Sequence, residues 1–586
     1  MKKILSVVLS VFTLFGIVFA SGCTKKAENV ELEYYDYYEK SESYDKNVAY
    51  RNDLVTMGAD PSVIYVTEGE EAGYYYMYLT SDDIGASGFQ CFRSKDLNDW
   101  ECMGVAYNPT AYYDEEDGKS YVSFATAKYW APETIYDPEL KLYFLFYNAT
   151  YIGTEWKFYL DCAVSENPQG PFVQYAQYKG EDPVYNSKLD LYIYEPMLDF
   201  ANMNPEDPLY EKNSDGYMKV IDASPFIDPK TGDKYLYFVH DLGSFDGYVG
   251  SNTSSIYVLA VNDDWTPVLD ENGYYKTVKK LTEAQCLTVG GPTVSSLNEG
   301  KVNEGPFVLY NPDNEKYYLM FSVNTYTQKT YQVRVAVSDS PIGPFTKLTR
   351  DEGGFLLYAG SNWSWASGTG HHSVVTANGK TFVVYHAHTN RVNGNSARAI
   401  AFDELLWTTN NDGLIIPYVN GPSYSLMPQT AGEYSNIAPE AKVTSTNVAE
   451  NSDVSYINDG IVKFHDDGIA KEFEMADGSA KITLTFDTYR EVTALFIYNS
   501  SDYDKTIGAI SSVELKFKDE EKKVEGTAVT GQLLFDWDRY FTYEGLLIPG
   551  GSFAIQFEPL MVKEITINIP NIEGIHAISD IMVLGK

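Results

Sequence analysis

A sequence phrase that recurs five times is the feature that most restricts how this chain can fold. In each copy, a polar or aromatic residue precedes a small residue or proline, and an apolar strand, a polar turn and an apolar return strand follow. The copies begin at Asp60, Trp130, Asp222, Glu304 and His371. Self-similarity at blade-sized intervals is typical of a β-propeller, in which radial sheets surround a central channel. The repeat therefore predicts a five-bladed β-propeller.

A second repeated phrase supports this interpretation, because it occurs in a fixed order relative to the first. Residues 163–172 read AVSENPQGPF, and the pattern returns as AVSDSPIGPF at residues 336–345. Residues 93–100 resemble a third version. The intervals between copies exceed the roughly 40–50 residues of familiar propeller repeats, so each blade must carry long connecting loops.

The first residue of each copy belongs to a candidate functional site. If the five innermost strands line the channel, these residues face its mouth and bring three carboxyl groups, one indole and one imidazole into one cavity. Crowded carboxylates repel one another and shift their pKa values apart, so stability alone does not favour the arrangement. The alternative is that Asp and Pro merely open strands and cap turns at these positions.

Composition narrows the class of protein and of partner. The chain has 586 residues, of which 15% are aromatic and 50 are Tyr, and its formal net charge is −38. Tyr-rich short strands separated by Gly, Pro, Asn and Asp turns predict an all-β protein. The charge argues against nucleic acid or an anionic membrane surface as a partner, since both attract basic patches. A neutral polysaccharide is not excluded.

The N-terminal residues predict export. Residues 1–23 combine a basic start, an apolar run and the sequence ASGC, and they resemble a bacterial lipoprotein signal in which Cys23 is lipidated after cleavage. Simple cleavage and secretion is the alternative. Residues 24–48 are polar, acidic and without periodicity, so we expect a flexible tether. Contact with a membrane is predicted only through the lipid anchor.

Two folded units are expected after the tether. Residues 49–430 contain the repeats of the propeller, and residues 436–586 contain alternating strands typical of a smaller β-sandwich. In the second unit, the NIAP opening, the INDG turn at 457–460 and the closing ISDI resemble discoidin-like galactose-binding modules. The tryptophan usual after the Asp-Gly turn is absent. A sugar-binding role and a purely structural role both stay open.

The five copies of the first phrase resemble the blade motifs of family 43 glycoside hydrolases, in order and across residues 49–430. They read DPSVI from Asp60, WAPE from Trp130, DASPF from Asp222, EGPF from Glu304 and HHSV from His371. Members of that family are five-bladed propellers that remove α-L-arabinofuranosyl or β-D-xylosyl units with inversion. The resemblance implies the same fold and reaction for this chain.

The resemblance also implies roles for four of these residues. Asp60 would be the general base, Glu304 the general acid, and Asp222 the residue that orients the acid and tunes its pKa. His371 matches the position that helps hold a central calcium ion or water cluster in arabinan-cleaving members, so calcium is the one cofactor expected. The roles suit the chemistry, because inversion needs a protonated acid and an ionised base roughly 6.5–9.5 Å apart.

Aromatic side chains and His371 are the candidates for substrate contact. Trp130 lies at the blade position of the acids and would offer a sugar ring a stacking face, with core packing as the alternative. Trp363 and Trp365 precede the fifth copy, and they are candidates for lining the cleft or for packing under a loop.

The predicted function is hydrolysis of arabinose- or xylose-containing plant polysaccharide by a monomeric extracellular enzyme, either secreted or lipid-anchored at a bacterial cell surface. The segments VYHAH at 384–388 and RAIAFDELLW at 398–407 favour arabinan. One alternative is a non-catalytic surface glycan-binding lipoprotein. Another is a glycoside phosphorylase of related propeller fold, although no Arg, Lys or His cluster for phosphate lies beside the three acids in sequence.

Overall fold

The structure is a computed structural model, and it describes most of the chain from residue 25 onward. The described residues are 25–26, 29–37, 44–80, 88–109, 111–154, 157–198, 202, 204, 219–241, 254–276, 279–281, 302–358, 366–390, 397–465, 467–519, 524–540 and 550–586. Cys23, Trp363 and Trp365 lie outside the described residues, so their roles stay predictions.

In the part of the chain that the structure describes, helices are few and short, and the all-β prediction is confirmed. The helices that the structure describes are the α-helices Tyr175–Tyr178 and Trp537–Tyr540 and the 3-10 helices Arg350–Glu352, Ala438–Glu440, Val454–Ile457 and Tyr503–Lys505. Within the described ranges, no helix is long and apolar enough to cross a membrane.

Five sheets form the propeller, which confirms the predicted fold. In each blade the repeated phrase supplies the innermost strand, and the apolar return strand pairs with it in antiparallel orientation. From the innermost strand outward, blade 1 contains Ser62–Tyr65, Tyr75–Tyr78, Phe89–Ser94 and Glu101–Tyr107, and blade 2 contains Ala125–Asp137, Leu142–Tyr151, Phe158–Ser165 and Val173–Gln174. Blade 3 contains Lys219–Ile227, Lys234–Asp241, Ser255–Ala260 and Lys279–Lys280, and blade 5 contains Gly370–Ala377, Lys380–His388, Arg398–Thr409 and Ile415–Val419. Blade 4 contains Asn303–Asn311, Lys316–Val323, Gln332–Ser338 and Thr346–Lys347, and Phe355–Leu357 also pairs with its third strand.

Apolar side chains fill the space between neighbouring blades. The return strand Leu142–Tyr151 is buried at nearly every position, since each blade packs against a blade on either side. Phe144 and Phe146 of this strand share one cluster with Leu236 and Phe238 of the third blade. Burial on both faces explains why the return strands read as continuous apolar runs instead of alternating sequences.

The first and last segments of the propeller close the ring. Ala49–Tyr50 pairs in antiparallel orientation with Met427–Pro428. The buried carboxylate of Asp403, in the fifth blade, accepts hydrogen bonds from Tyr50 Oη at 3.1 Å and from Tyr385 Oη at 2.7 Å. Burial raises the pKa of Asp403 to about 7. Backbone pairing and this hydrogen-bonded carboxyl group together join the fifth blade to the segment that precedes the first.

A small sheet, here called the insert sheet, lies beside the second blade and is built from segments that precede and follow that blade. Its central strands are parallel, and each outer strand is antiparallel to its neighbour. Val122 and Ile193 are buried against the apolar cluster of the first two blades. In order across the sheet, its strands are Val184–Asn186, Leu191–Tyr194, Lys119–Ser123 and Tyr112–Asp114.

The C-terminal domain contains two long strands, Gly478–Asn499 and Ser552–Ile572, which pair with each other in antiparallel orientation. Register breaks along them let the sheet bend around an apolar core that includes Leu484 and Ile567. Most of the domain's strands belong to one 11-stranded sheet. The shorter strands are Ser435–Asn436, Lys442–Ser445, Phe473–Met475, Ala509–Ile510, Ser512–Asp519, Val524–Val529, Leu533–Leu534 and His576–Gly585.

The N-terminal segment differs from the flexible tether expected for residues 24–48. Leu32 is buried in the C-terminal core, and the backbone around it pairs with the edges of the C-terminal sheet. An edge strand offers unpaired N–H and C=O groups to any segment that reaches it, so this pairing leaves no periodic signal in the segment itself. The paired strands are Lys25–Lys26, Val30–Glu31 and Tyr34–Asp36.

The C-terminal sheet also packs against the propeller. Leu495 and Ile497 point into the C-terminal core, whereas Phe496 and Tyr498 join propeller residues in a second apolar cluster. Successive side chains of a strand point to opposite faces, so one strand contributes to both cores. Tyr498 Oη also donates a hydrogen bond to the carbonyl of Leu426 at 2.9 Å.

The turn that resembles discoidin-like modules faces the propeller. Asn420 of the propeller donates to the carbonyl of Gly460 at 2.7 Å and accepts from the backbone N–H of Val462 at 2.9 Å. Val462 is fully buried in the cluster between the domains. These contacts support a structural role for this turn.

Candidate active site

The five residues that begin the repeated phrases lie around one pocket. Asp60, Trp130, Asp222, Glu304 and His371 all line it, and its volume is about 120 Å³. The propeller therefore brings together side chains that are far apart in sequence, as the repeat predicts. The other lining residues are Thr80, Ala131, Ile221, Tyr326, Tyr331 and Arg398.

A β-bulge at the pocket end of each innermost strand positions these side chains. In blades 2 to 5, the innermost strand advances by three residues where the return strand advances by two, for example between Glu304 and Phe307. In blade 1, the hydrogen bond from Thr80 N to Ala59 O shows that the innermost strand has the same extra residue there. The bulge turns two successive residues toward the pocket. One residue of each bulge has left-handed backbone, with φ between 43° and 57°: Asp60, Ala131, Asp222, Gly305 and His371.

The bulges correct the sequence alignment of the five copies. Asp60, Asp222 and His371 are the left-handed residues of their bulges, but Trp130 and Glu304 come one position earlier. The five residues share a pocket without being equivalent in backbone position. Left-handed backbone is unfavourable for residues that carry a Cβ atom, and strain of this kind is concentrated at functional sites.

Asp60 lies among cationic and hydrogen-bonding groups. Arg398 Nη1 is 3.1 Å and His371 Nδ1 is 3.4 Å from Asp60 Oδ1, and Thr80 Oγ1 donates to Oδ2 at 2.6 Å. Burial by itself raises the pKa of this carboxyl group. His371 and Arg398 outweigh burial and hold the pKa of Asp60 well below its ordinary value. Asp60 is therefore ionised at neutral pH.

A chain of contacts connects Asp60 with Glu304. His386 Nδ1 accepts the backbone N–H of Asp60 at 3.2 Å. Burial and the charge of Arg398 lower the pKa of His386 to about 3, so the ring is neutral. The ring of Tyr331 stacks on His386 with a centroid distance of 5.6 Å and an interplanar angle of 4°. Tyr331 Oη then donates to Glu304 Oε1 at 2.7 Å.

Asp222 and Glu304 lie on neighbouring bulges. The backbone N–H of Gly305 donates to Asp222 Oδ2 at 2.9 Å, which fixes this carboxyl group beside the backbone of Glu304. The backbone N–H of Asp222 donates to Asn148 Oδ1 at 3.1 Å. The pocket therefore has one carboxylate beside a guanidinium group on one side and two neighbouring carboxyl groups on the other.

Sequence reasoning did not identify Thr80, Tyr331, His386 or Arg398 as contacts of the acids. Thr80 follows the first return strand by two residues, and the pairing of that strand with the first phrase was a usable signal. His386 and Arg398 lie in segments that were used only to favour arabinan. Tyr331 precedes an outer strand of blade 4, and nothing in its neighbourhood indicates contact with Glu304.

Comparison with family models identifies the chain. The model described as glycosyl hydrolases family 43 matches residues 50–195 and 206–414, more than half of the chain. The chain belongs to glycosyl hydrolase family 43. The resemblance carried by the repeated phrases is thereby confirmed.

Known relatives of this family 43 chain include two arabinanases. The chain is 27% identical over 292 residues to the extracellular endo-α-(1→5)-L-arabinanase of Thermotoga petrophila, across 49% of this chain and 50% of the relative. It is 26% identical over 293 residues to the extracellular endo-α-(1→5)-L-arabinanase 2 of Bacillus subtilis, across 49% of each. The chain thus spans about half the length of these relatives. A solved thermostable family-43 glycoside hydrolase is 26% identical, with a TM-score of 0.45 across 65% of this chain and 98% of the other.

A calcium ion is predicted at His371 of this family 43 chain, but the described residues do not form a set of protein ligands around that position. In those ranges, no group of three or more His, Cys, Asp and Glu side chains is arranged to hold a metal ion. The backbone N–H of His371 donates to Ser322 Oγ at 2.8 Å, and its ring faces Asp60. Calcium takes roughly 6–8 oxygen ligands, which these residues do not supply. The calcium ion or water cluster at His371 stays a prediction.

Trp130 combines packing with exposure to the pocket. Its ring stacks on Phe158 with a centroid distance of 4.5 Å and an interplanar angle of 29°. The same side chain lines the pocket. Both roles that the sequence suggested for Trp130 are therefore compatible, because packing on Phe158 fixes the orientation in which the indole faces the pocket.

Proposed function

We propose that this family 43 chain is an inverting glycoside hydrolase that cleaves α-L-arabinofuranosyl linkages in arabinan. The observation that carries the proposal is the two-sided pocket, in which Asp60 is held ionised while Glu304 and Asp222 lie on neighbouring bulges. Both relatives are named as arabinanases, which supports arabinan over β-D-xylosyl substrates.

Asp60 is the proposed general base. Its carboxylate accepts a proton from a water molecule while the water oxygen forms a bond to the anomeric carbon. Arg398 and Thr80 bind the two carboxylate oxygens and fix the orientation of the group. Attack on the face opposite the leaving group gives a product with inverted anomeric configuration.

Glu304 is the proposed general acid. Because Tyr331 Oη donates to Glu304 Oε1, the proton of the neutral acid belongs on Oε2. That proton moves to the glycosidic oxygen as the bond between this oxygen and the anomeric carbon breaks. Asp222, fixed beside Gly305, disfavours a second negative charge nearby and so favours the protonated form of Glu304 between turnovers.

Each turnover consumes one water molecule and leaves the two acids in the opposite protonation states. Asp60 has gained a proton and Glu304 has lost one, so both exchange protons with solvent before the next turnover. Two carboxyl groups whose surroundings separate their pKa values suit this cycle, because each returns to its starting form at the same pH.

A phosphorylase is less well supported than a hydrolase. Arg398 is the one Lys or Arg side chain among the described residues that line the pocket. Its Nη1 lies 3.1 Å from Asp60 Oδ1, so its charge is engaged by a carboxylate. Phosphate would have to compete with Asp60 for this guanidinium group.

The test is sugar release from linear arabinan, xylan and nitrophenyl glycosides by the wild type and by Glu304→Gln, with and without phosphate. We expect the wild type to release arabinose-containing products at a rate that phosphate does not increase, and the variant to release far less. Proton NMR of the first product should show inverted configuration. Retained configuration, or binding of arabinan without release, would overturn the proposal.

We also infer that the protein acts outside the cell as a monomer. Both relatives are named extracellular, and the first 23 residues resemble a lipoprotein signal. Labelled palmitate should enter the wild type and not Cys23→Ala, and size-exclusion chromatography should give the mass of one chain. Unlabelled wild type released into the medium would favour simple secretion.

A further inference from the structure

The insert sheet carries a row of four tyrosines, here called the tyrosine ladder. Tyr112, Tyr121, Tyr192 and Tyr185 lie one on each strand, and each is directly opposite the next across the sheet. Successive ring centroids are 5.3, 5.4 and 5.1 Å apart. The ladder therefore spans all four strands of the insert sheet.

The ladder lies on the face of the insert sheet that points away from the blades. Val122 and Ile193 follow Tyr121 and Tyr192 in sequence and are buried against the blades, and successive side chains of a strand point to opposite faces. At the ends of the ladder, Tyr112 is 41% and Tyr185 is 50% exposed, whereas Tyr121 in the middle is 9% exposed. Exposed aromatic rings at the two ends make this face a candidate binding surface.

Neighbouring carboxylates accept hydrogen bonds from two of the four tyrosine hydroxyls. Tyr121 Oη donates a hydrogen bond to Asp117, and Tyr185 Oη donates to Asp190 Oδ1 at 2.8 Å. A rigid aromatic surface loses little conformational entropy when a ligand binds to it. The ladder thus combines flat apolar rings with hydroxyl and carboxylate groups at their edges.

The insert sheet is continuous with a strand that lines the pocket. Phe124 alone separates Lys119–Ser123 of the insert sheet from Ala125–Asp137, the innermost strand of blade 2, which carries Trp130. The chain between Tyr121 and Trp130 spans at most roughly 32 Å when fully extended. Because the bulges lie toward the N-terminal ends of the innermost strands, the insert sheet joins blade 2 at the pocket end.

We propose that the tyrosine ladder is an auxiliary binding surface for the neutral polysaccharide that the pocket cleaves, an inference that rests on the proposed function. Sugar rings present apolar C–H faces that pack on aromatic rings, and their hydroxyls form hydrogen bonds with tyrosine and carboxylate oxygens. The net charge of −38 disfavours an anionic polymer or a second copy of this chain at this face.

Binding at the ladder acts on polymers and not on short substrates. A chain held by the ladder has a high effective concentration at the pocket, because its second contact is intramolecular. A substrate that fills only the pocket gains nothing from the ladder. The ladder therefore favours long chains over short ones in kcat/KM.

The experiment measures binding in a background that does not cleave the polymer. Glu304→Gln alone and with Tyr112→Ala and Tyr185→Ala is run in native gels that contain linear arabinan or arabinoxylan. The matched control adds Tyr136→Ala to Glu304→Gln. Tyr136 is also 41% exposed, and its ring lies 4.8 Å from that of its cross-strand partner Tyr143 at the far end of the blade 2 innermost strand.

We expect the two ladder substitutions to weaken retardation by at least one polymer about fivefold or more, and the control to migrate like its parent. In the active background they should lower the ratio of kcat/KM on polymer to kcat/KM on a nitrophenyl glycoside. Tyr185→Ala alone, on an edge strand, repeats the measurement if the double change lowers the melting temperature.

Three results would overturn the proposal that the ladder binds polysaccharide. They are equal retardation of the ladder variant and its parent, an equal loss of retardation in the Tyr136→Ala control, and no retardation of the parent by either polymer. A mass that falls from dimer to monomer in the ladder variant would assign the surface to a second copy instead. Hydrolysis of nitrophenyl glycosides by the wild type reports separately on the proposed function, so a failure of the ladder and a failure of the enzyme assignment are distinguishable.

Discussion

The two sides of the pocket are built on the same bulge and differ in the charges around their carboxyl groups. On one side, Asp60 faces the guanidinium of Arg398 and the imidazole of His371. On the other, Glu304 accepts a hydrogen bond from the neutral hydroxyl of Tyr331 and has Asp222 on the neighbouring bulge. The bulge places the groups, and the side chains around Asp60 favour its ionised form.

Two of the groups that make the difference come from outside the repeated phrases. Arg398 begins the third strand of blade 5, and Tyr331 directly precedes the third strand of blade 4. Asp60 belongs to blade 1, so its cation is supplied across the seam where the ring closes. A propeller can thus repeat one backbone motif and still give each copy different chemistry, because each copy meets different third strands.

The largest effects are expected from removing either carboxyl group. Asp60→Asn and Glu304→Gln should each lower kcat on linear arabinan by about 10²–10⁴-fold, the usual contribution of a general acid or base. The rates of the two variants should respond differently when the leaving group changes. A dinitrophenyl glycoside needs little protonation as it departs, so it should restore much of the rate of Glu304→Gln and little of that of Asp60→Asn. Equal recovery in both variants would remove the distinction between the sides.

A smaller effect is expected from the hydroxyl that contacts the acid. Tyr331→Phe keeps the ring stacked on His386 and removes the hydrogen bond to Glu304. We therefore expect kcat on arabinan to fall about tenfold, near the upper end for a hydrogen bond between neutral groups. The loss should shrink for a dinitrophenyl leaving group, because such a substrate does not depend on the orientation of the acid. Initial rates on the two substrates measure both effects.

Tyr385→Phe is the matched control for this measurement. Tyr385 is buried, and its Oη donates to the carboxylate of Asp403 at 2.7 Å, the same distance as in the Tyr331 pair. It lies outside the pocket lining. Its loss should lower the melting temperature without any dependence on the leaving group. A leaving-group dependence in both variants would show that Tyr331 acts through general stability.

The repeated phrase predicted the propeller and the five residues around the pocket, because each copy contains its own strand pattern. The bulge was not predictable, since the same backbone position is occupied by Asp60, Ala131 and Gly305, and no residue type marks it. Tyr331 was missed for a related reason. Its contact with Glu304 depends on where a loop of blade 4 ends, and the sequence around it has no periodic pattern.

The N-terminal segment shows a second limit of sequence patterns. The segment around Leu32 reads as an acidic linker, and its pairing depends on strand edges that the chain forms about five hundred residues later. The pairing partners carry no complementary signal, because backbone hydrogen bonds do not depend on side-chain type. Local composition was therefore a poor guide to structure there.

The effect of Arg398 on the protonation of Asp60 can be tested through the pH dependence of catalysis. The pKa of Asp60 is depressed, so its ionised form persists as the pH falls, and the acid limb of kcat/KM should lie at low pH unless another group limits it. Arg398→Gln removes the guanidinium charge that helps to depress this pKa. The acid limb should then move to higher pH, because the base becomes protonated sooner. A pH profile of kcat/KM on a dinitrophenyl glycoside gives the answer, since this substrate reduces the contribution of Glu304.

An acid limb that stays in place in Arg398→Gln would mean that His371, and not Arg398, holds the pKa of Asp60 low. An acid limb that moves to lower pH would contradict the assignment of Asp60 as the base. Arg334→Gln is a suitable control, because Arg334 is also buried but packs over the ring of Phe355, outside the pocket lining.

The smallest effects concern the bulge that both sides share. Ala131 has φ of 43°, and relief of left-handed strain at a residue with a Cβ atom amounts to about 1 kcal/mol. Ala131→Gly should therefore raise the free energy of unfolding slightly. Gly305→Ala makes the reverse change on the acid side, where the new Cβ would lie 3.3 Å from Cγ of His371. It should lower stability and also activity, because it presses on a ring that faces Asp60. Thermal unfolding with parallel rates measures both. If the two substitutions change the free energy of unfolding in opposite directions, the bulge is one backbone feature reused on both sides. If both change it in the same direction, the neighbours of each bulge determine its stability.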